Sequence, residues 1–278
     1  MPYTPRQQIE RECFNALVHE KWDGKSLFVA PDHPPFADYS GDLLDGAKQF
    51  LFPVSGRRIL EIGCGNGELS VWLAKNGATV YGVDISDESI TIANRRTAEN
   101  HVADQAHFYA CPAEHVPFEN AFFDIVFINV SLHHLEIDLA LKEFQRVLKP
   151  DGLLIAIEPL AFSSLIQNFR ASKLFTAFYP IRQETPTERI LSLDDLKLIR
   201  SLYSDTVIVP YRVFSPFIYK IKPLFAFLAR RCFSREHDFE IQKRKLNRAL
   251  QKFDKNLLKI FPPLKFLARY AIIRAVSK

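Results

Sequence analysis

The stretch Ile59-Leu60-Glu61-Ile62-Gly63-Cys64-Gly65-Asn66-Gly67-Glu68-Leu69-Ser70 constrains this chain more than any other. Apolar Ile59, Leu60 and Ile62 read as a strand buried on both faces, as in a parallel sheet. The run stops at glycines spaced two apart. Beyond Gly67 the apolar spacing turns helical, with Leu69, Trp72 and Leu73 on one face and Gly77 where a C-terminal glycine cap belongs. Strand, glycine turn and helix make the first unit of a nucleotide-type crossover. Glycines at such a turn let backbone approach a ligand that a Cβ would hold off, and the helix start offers N–H groups to an anionic end such as a carboxylate. The spacing here is Glu-x-Gly-x-Gly-x-Gly, with Glu68 following. It departs from the Gly-x-Gly-x-x-Gly of dinucleotide binders, and no Gly-Lys-Ser/Thr follows to make a P-loop.

The next elements repeat the crossover. Thr79–Asp84 is a second buried strand ending in an acid, about twenty residues past the first glycines, where a carboxylate reaches both hydroxyls of a ribose. Ser86 reads as an N-cap, with Asp87 and Glu88 in the first turn of the helix that follows. His107–Ala110 is a short third strand and Phe123–Asn129 a fourth. Ile137–Leu148 is helical by its spacing and stops at Lys149-Pro150-Asp151-Gly152, after which Leu153–Pro159 is a fifth strand. Ligands of open parallel sheets sit past the carboxyl ends of the central strands, so Asn129 to His134 should line the reaction site. Adjacent His133 and His134 point in different directions, so at most one faces the reacting group. A neutral imidazole there can take a proton from a hydroxyl or phenol; packing, or capping of the next helix, would call for histidine equally.

Four segments in order carry a family resemblance: the glycine turn, the acid Asp84, Cys111-Pro112-Ala113-Glu114-His115-Val116-Pro117-Phe118, and Arg146-Val147-Leu148-Lys149-Pro150-Asp151-Gly152 ahead of a strand. From Ile59 to Pro159 the chain resembles class I S-adenosylmethionine (SAM) dependent methyltransferases of the small-molecule type. The resemblance implies an α/β fold with a Rossmann-like seven-stranded sheet, mostly parallel with an antiparallel last strand and a helical insertion before it. It also implies SAM as methyl donor, S-adenosylhomocysteine as product, and no metal. It assigns Glu61, Gly63, Cys64, Gly65, Asn66 and Gly67 to the cofactor, Asp84 with Ile85 to its ribose, and Ala113 and Glu114 to the adenine. Asn129 and Val130 fall beside the donor, and His133 or His134 is the candidate base. Pro112 departs from the pattern, because the family commonly has an acid there that bonds the adenine amino group.

Composition sets looser bounds. Cys13, Cys64, Cys111 and Cys232 form no Cys-x-x-Cys pair, so neither a disulfide framework nor a zinc site is suggested, and a reducing cytoplasmic compartment is the expectation. Met1 to Glu20 carries charges throughout and resembles no secretory signal, and no uncharged apolar run reaches the roughly eighteen residues of a membrane span. Net charge is +4 overall, yet Tyr211 to Lys278 carries 17 Lys/Arg against 4 Asp/Glu. A basic C-terminal quarter favours an anionic partner or surface.

The expected organisation is an N-terminal helical cover over 1–50, a SAM-binding core over 51–214, a basic amphipathic insertion over 215–266 and a final strand over 267–278. In the cover, Arg6 to Glu20 reads as a helix with Ile9, Cys13, Ala16 and Leu17 along one side, and Tyr39 is a lid candidate. The family supplies substrate contacts from the connection here numbered 160–190. Ser192-Leu193-Asp194-Asp195 reads as a capping box opening a helix to Leu202, with strands at Thr206–Val213 and Leu267–Val276. The insertion mixes Phe and Leu with cations, as in a segment lying in a membrane interface or in a helical hairpin packed on the sheet with a basic rim. Nucleic acid is not favoured, because the cations sit beside dense apolar residues. The expected activity is methyl transfer to O, N or C of a small hydrophobic or lipid-like acceptor. The alternatives are a SAM-binding, non-catalytic partner subunit and a peripheral membrane-binding module on the same fold.

Overall fold

The computed structural model describes residues 3–21, 26–31, 41–161, 185–212, 249 and 252–278. The chain divides into two compact units. The first comprises Met1–Pro159, Gln183–Ile208 and Ile272–Lys278; the second comprises Leu160–Arg182 and Val209–Ala271. This division differs from the expected one in two ways. Residues 1–50 belong to the core unit, and the basic insertion shares its unit with 160–182.

The sheet contains β1 (Arg58–Ile62), β2 (Thr79–Asp84), β3 (Ala106–Ala110), β4 (Phe123–Asn129), β5 (Leu148–Pro159), β6 (Ser204–Tyr211) and β7 (Tyr270–Val276), in the order β3-β2-β1-β4-β5-β7-β6. β1 pairs in parallel with β2 and β4, β3 with β2, and β5 with β4. The last strand runs against its neighbour. Ser277 N donates to Gly152 O while Leu160 N donates to Arg269 O, so β7 descends as β5 climbs. The central strands are the most apolar, and Ile59, Leu60 and Ile62 of β1 are buried, as are Ile125 to Ile128 of β4.

The helices are α1 (Pro5–Lys21), α2 (Gly41–Leu51), α3 (Glu68–Lys75), α4 (Asp87–Glu99), α5 (Ile137–Val147) and α6 (Leu193–Leu202). α3 buries Leu69, Trp72 and Leu73, and α4 opens at Ser86, whose side chain accepts from Ser89 N. α6 has the full capping box: Ser192 and Asp195 each bond the other's backbone N–H. α2 was not expected. Leu43, Leu44, Ala47 and Leu51, spaced along one face, are buried there, and the helix packs against β5.

Three boundaries differ from the sequence reading. Lys149-Pro150-Asp151-Gly152 does not separate helix from strand, because β5 already begins at Leu148. The pairing with β4 slips between Phe123 and Ile125, and Asp151 takes a positive φ of 61°, so the punctuation residues form a bulge within the strand. β7 starts at Tyr270 because Pro262 and Pro263 open a 3₁₀ turn over Pro262–Leu267. β6 starts at Ser204 rather than Thr206. Of the insertion, residues 252–260 are helical, with Phe253, Ile260 and Phe261 exposed; the remainder of 215–248 lies outside the described residues, as does Tyr39.

Candidate active site

The ends of β1, β2 and β4 are level, since Ile62 is in register with both Val83 and Ile128. The chain leaves them at Gly63, Asp84 and Asn129, which together line a cavity of about 250 Å³. Gly63 (φ 64°) and Gly65 (φ 51°) hold the turn in the left-handed region. A Cβ on Gly63 would lie 2.1 Å from Ser131 Oγ, whereas one on Gly65 would meet no atom within 4 Å. The wall beside Gly65 is therefore bare backbone next to open space.

Asp84 is fixed by that turn. Its Oδ2 accepts from Gly65 N at 2.8 Å and its Oδ1 from Ser86 N at 2.9 Å. Burial pushes its carboxyl above the usual range, against the opposing pull of the Ser86, Gly65 and Ile85 N–H groups and of His134. Asn129 Oδ1 is buried without a hydrogen-bond partner on a residue that lines the cavity. Val130 sits at φ 60°, an unusual conformation for a β-branched residue, with its N–H held by Ile157 O.

Gly63, Gly65, Asp84, Ile85, Asn129 and Val130 of the assigned residues line this cavity, together with Ala113 and Glu114. Glu61, Cys64, Asn66 and Gly67 are not among its lining residues, and each has work within the turn. Glu61 is buried and accepts from Ser70 Oγ; burial and the nearby Asp84 push its carboxyl up to about 8. Cys64 is buried, and a Cβ on Gly67 would strike Phe108 and Ala93 at 2.7 and 2.8 Å. Asn66 Oδ1 accepts from Glu68 N. Glu114 is already engaged: Oε2 accepts from Gln7 Nε2 at 3.1 Å and Oε1 from Glu136 N at 2.9 Å. It ties α1 to the start of α5.

The two histidines separate as expected. His133 is buried with Nδ1 2.7 Å from Oε2 of Glu158, whose Oε1 accepts from Ser131 N and Leu132 N. It does not line the cavity, whereas His134 does. Ligand-capable atoms of His133, His134 and Glu188 lie within 4.8 Å of one another; His133 also lies against Glu158 and Glu188, and His134 against Glu10.

The sequence reading missed Arg6, Gln7, Glu10 and Phe14. These α1 residues line the cavity, whereas Ile9, of the apolar side noted in the sequence, is 39% exposed. Gln7, Glu10 and Phe14 recur at helical spacing, and that period was the available signal. α1 is anchored on α4 by Arg11 and Asn15, which both reach Asp87 Oδ1.

Residues 60–156 match the family described as "Methyltransferase domain". Over that stretch the chain is similar to class I SAM-dependent methyltransferase domains. The 27-O-demethylrifamycin SV methyltransferase of Amycolatopsis mediterranei is 37% identical over 140 residues, 50% of this chain and 49% of that one. The chain spans about half the length of the curated relatives it matches. Geranyl diphosphate C-methyltransferase from Streptomyces coelicolor A3(2), solved with Mg2+, geranyl diphosphate and S-adenosylhomocysteine, superposes with a TM-score of 0.58 at 18% identity over the whole of both chains. The [4+2]-cyclase SpnF superposes equally well, at 0.58 and 20% identity, over 100% of this chain and 98% of that one.

The cavity fits SAM on its own geometry. Bare backbone at Gly65 leaves room for the amino-acid end, each Asp84 oxygen keeps a lone pair beyond its single backbone bond, and the unpartnered Asn129 Oδ1 awaits a donor.

Proposed function

We propose that this protein transfers the methyl group of SAM to a small hydrophobic acceptor. The reading rests above all on Asp84: a carboxylate at the end of β2, already oriented by two backbone N–H groups, lining the cavity opposite bare glycine backbone. In this reading Asp84 accepts from the ribose hydroxyls, Asn129 Oδ1 takes the amino group, and the Gly63–Gly65 turn admits the carboxylate. Ala113 borders the adenine. SAM supplies a sulfonium methyl that is already activated. The chain's part is then to align acceptor, methyl and sulfur and to keep water out, and α1 closes the cavity from above. An acceptor delivered from an anionic membrane surface suits the basic C-terminal quarter and its exposed Phe253, Ile260 and Phe261.

Titration calorimetry with S-adenosylhomocysteine tests the reading directly. The wild-type protein should bind it, and Asp84→Ala should weaken binding at least about tenfold, as expected for lost hydrogen bonds to a charged group. Asp84→Asn keeps the shape and separates lost contacts from a disturbed turn. No uptake by the wild-type protein would reject the proposal.

A further inference from the structure

Beyond the SAM site, the cavity contains a side-chain relay that no family motif supplies. Glu10 reaches it from α1. Its Oε1 accepts from Thr185 Oγ1 at 2.9 Å and from Thr187 Oγ1 in a shorter contact. Its Oε2 is buried with no hydrogen bond and lies 3.3 Å from Nδ1 of His134. Burial alone would raise the Glu10 carboxyl, but His134, Thr187 and Thr185 outweigh it and hold it below its ordinary value, so the group is a carboxylate at neutral pH.

With Thr185 and Thr187 donating to Glu10, the described groups facing Nδ1 of His134 are acceptors, Glu10 Oε2 and the Thr185 Oγ1 lone pair, each at 3.3 Å. In the neutral ring that arrangement favours the hydrogen on Nδ1. Nε2 therefore carries the lone pair, on a ring that lines the cavity and packs edge-on against Phe14 at 5.2 Å. Among the described residues, the other charged or titratable groups near this ring are Asp84 at the end of β2, His133, Glu188, and Arg6, whose guanidinium bonds the His134 carbonyl at 2.9 Å.

We infer that Glu10 is a positioning residue that fixes His134 as the Nδ1–H tautomer and makes its Nε2 the proton acceptor for a hydroxyl-bearing methyl acceptor. This rests on the methyltransferase reading and deepens it, because a nucleophile that must lose a proton needs such a base, whereas an already electron-rich one does not. In the step, the acceptor oxygen forms its bond to the methyl carbon and yields its proton to Nε2. The C–S bond breaks with its electron pair left on sulfur, giving the neutral thioether, and the imidazolium is held by the Glu10 carboxylate.

The test needs no acceptor. Nitrogen-15 spectra of the His134 ring in the full-length protein, saturated with S-adenosylhomocysteine, should show the Nδ1–H tautomer at neutral pH. Glu10→Gln should mix the tautomers, since the carboxylate that faces Nδ1 is gone. Glu10→Asp should restore part of the Nδ1–H signal, and the His133 signals should stay put. Thr187→Val, which leaves the carboxylate in place, gives a second variant should Glu10→Gln fold poorly; it should perturb His134 in the same direction but less. A protein that binds S-adenosylhomocysteine normally but carries the His134 proton on Nε2, or whose His134 ignores Glu10→Gln, overturns the inference while leaving the methyltransferase reading intact. Failure to bind at all strikes the broader reading.

Discussion

Gly63 and Gly65 sit two positions apart in one turn, both at positive φ, yet a methyl group on each meets different surroundings. On Gly63 it would collide with Ser131 at 2.1 Å to Oγ and 2.6 Å to Cβ; on Gly65 it would project into open space. The two substitutions therefore separate folding from binding. Gly63→Ala should cost about 1–3 kcal/mol of stability, from a strained backbone and a contact that must shift. Gly65→Ala should cost about 1 kcal/mol, the left-handed penalty alone. It should nevertheless remove S-adenosylhomocysteine binding, because the methyl fills the space where a carboxylate must meet backbone. Urea unfolding and calorimetry on both variants check this. If Gly65→Ala binds like wild type, the ligand's amino-acid end lies elsewhere.

At the scale of elements, α1 and the glycine turn show what a sequence reveals. The turn was legible because its determinants are local: apolar strand, spaced glycines and apolar helix face lie within one short window. Asp84 was legible for the same reason, from its place at the end of an apolar run. α1 was found as a helix, but what the sequence picked out on it was the apolar side of Ile9 and Leu17, while Gln7, Glu10 and Phe14 line the cavity. Their partners are far away in the chain: Glu114 for Gln7, and His134, Thr185 and Thr187 for Glu10. Periodicity cannot show that a polar face is inward when its partners come from distant segments. α1 is thus held mainly by polar contacts, including Arg11 to Asp87 and Arg6 to Glu136. Partly exposed pairs of this kind contribute about 1 kcal/mol or less each, so α1 should open more readily than the sheet. S-adenosylhomocysteine filling the cavity beneath it should slow amide exchange in α1 specifically. Hydrogen-exchange mass spectrometry with and without the ligand reads this, and α1 exchange that ignores a bound ligand would remove the helix from the site.

At the scale of the whole molecule, charge is distributed unevenly. Tyr211 to Lys278 has 17 Lys/Arg against 4 Asp/Glu in a chain of net charge +4, so the rest is acidic. In the described part of this quarter, exposed Lys252, Lys255 and Lys259 share the 252–260 helix with exposed Phe253 and Ile260, and Phe261 follows directly; the acid in that helix, Asp254, is buried. A helix that pairs cations with unburied aromatic and aliphatic side chains suits an anionic bilayer surface, where the side chains enter the headgroup boundary while lysines meet lipid phosphates. None of the described helices is long and apolar enough to cross a membrane. The two contributions predict different responses. Flotation should carry the protein with vesicles containing anionic phosphatidylglycerol but not with pure phosphatidylcholine, and raised salt should weaken binding as screening shortens the reach of the lysines. Lys255→Glu with Lys259→Glu should abolish the anionic preference, while Phe261→Ser should lower binding at every salt concentration. Equal flotation on neutral and anionic vesicles would leave the lysines without a role in membrane binding, and flotation on neither would place the acceptor's delivery in solution.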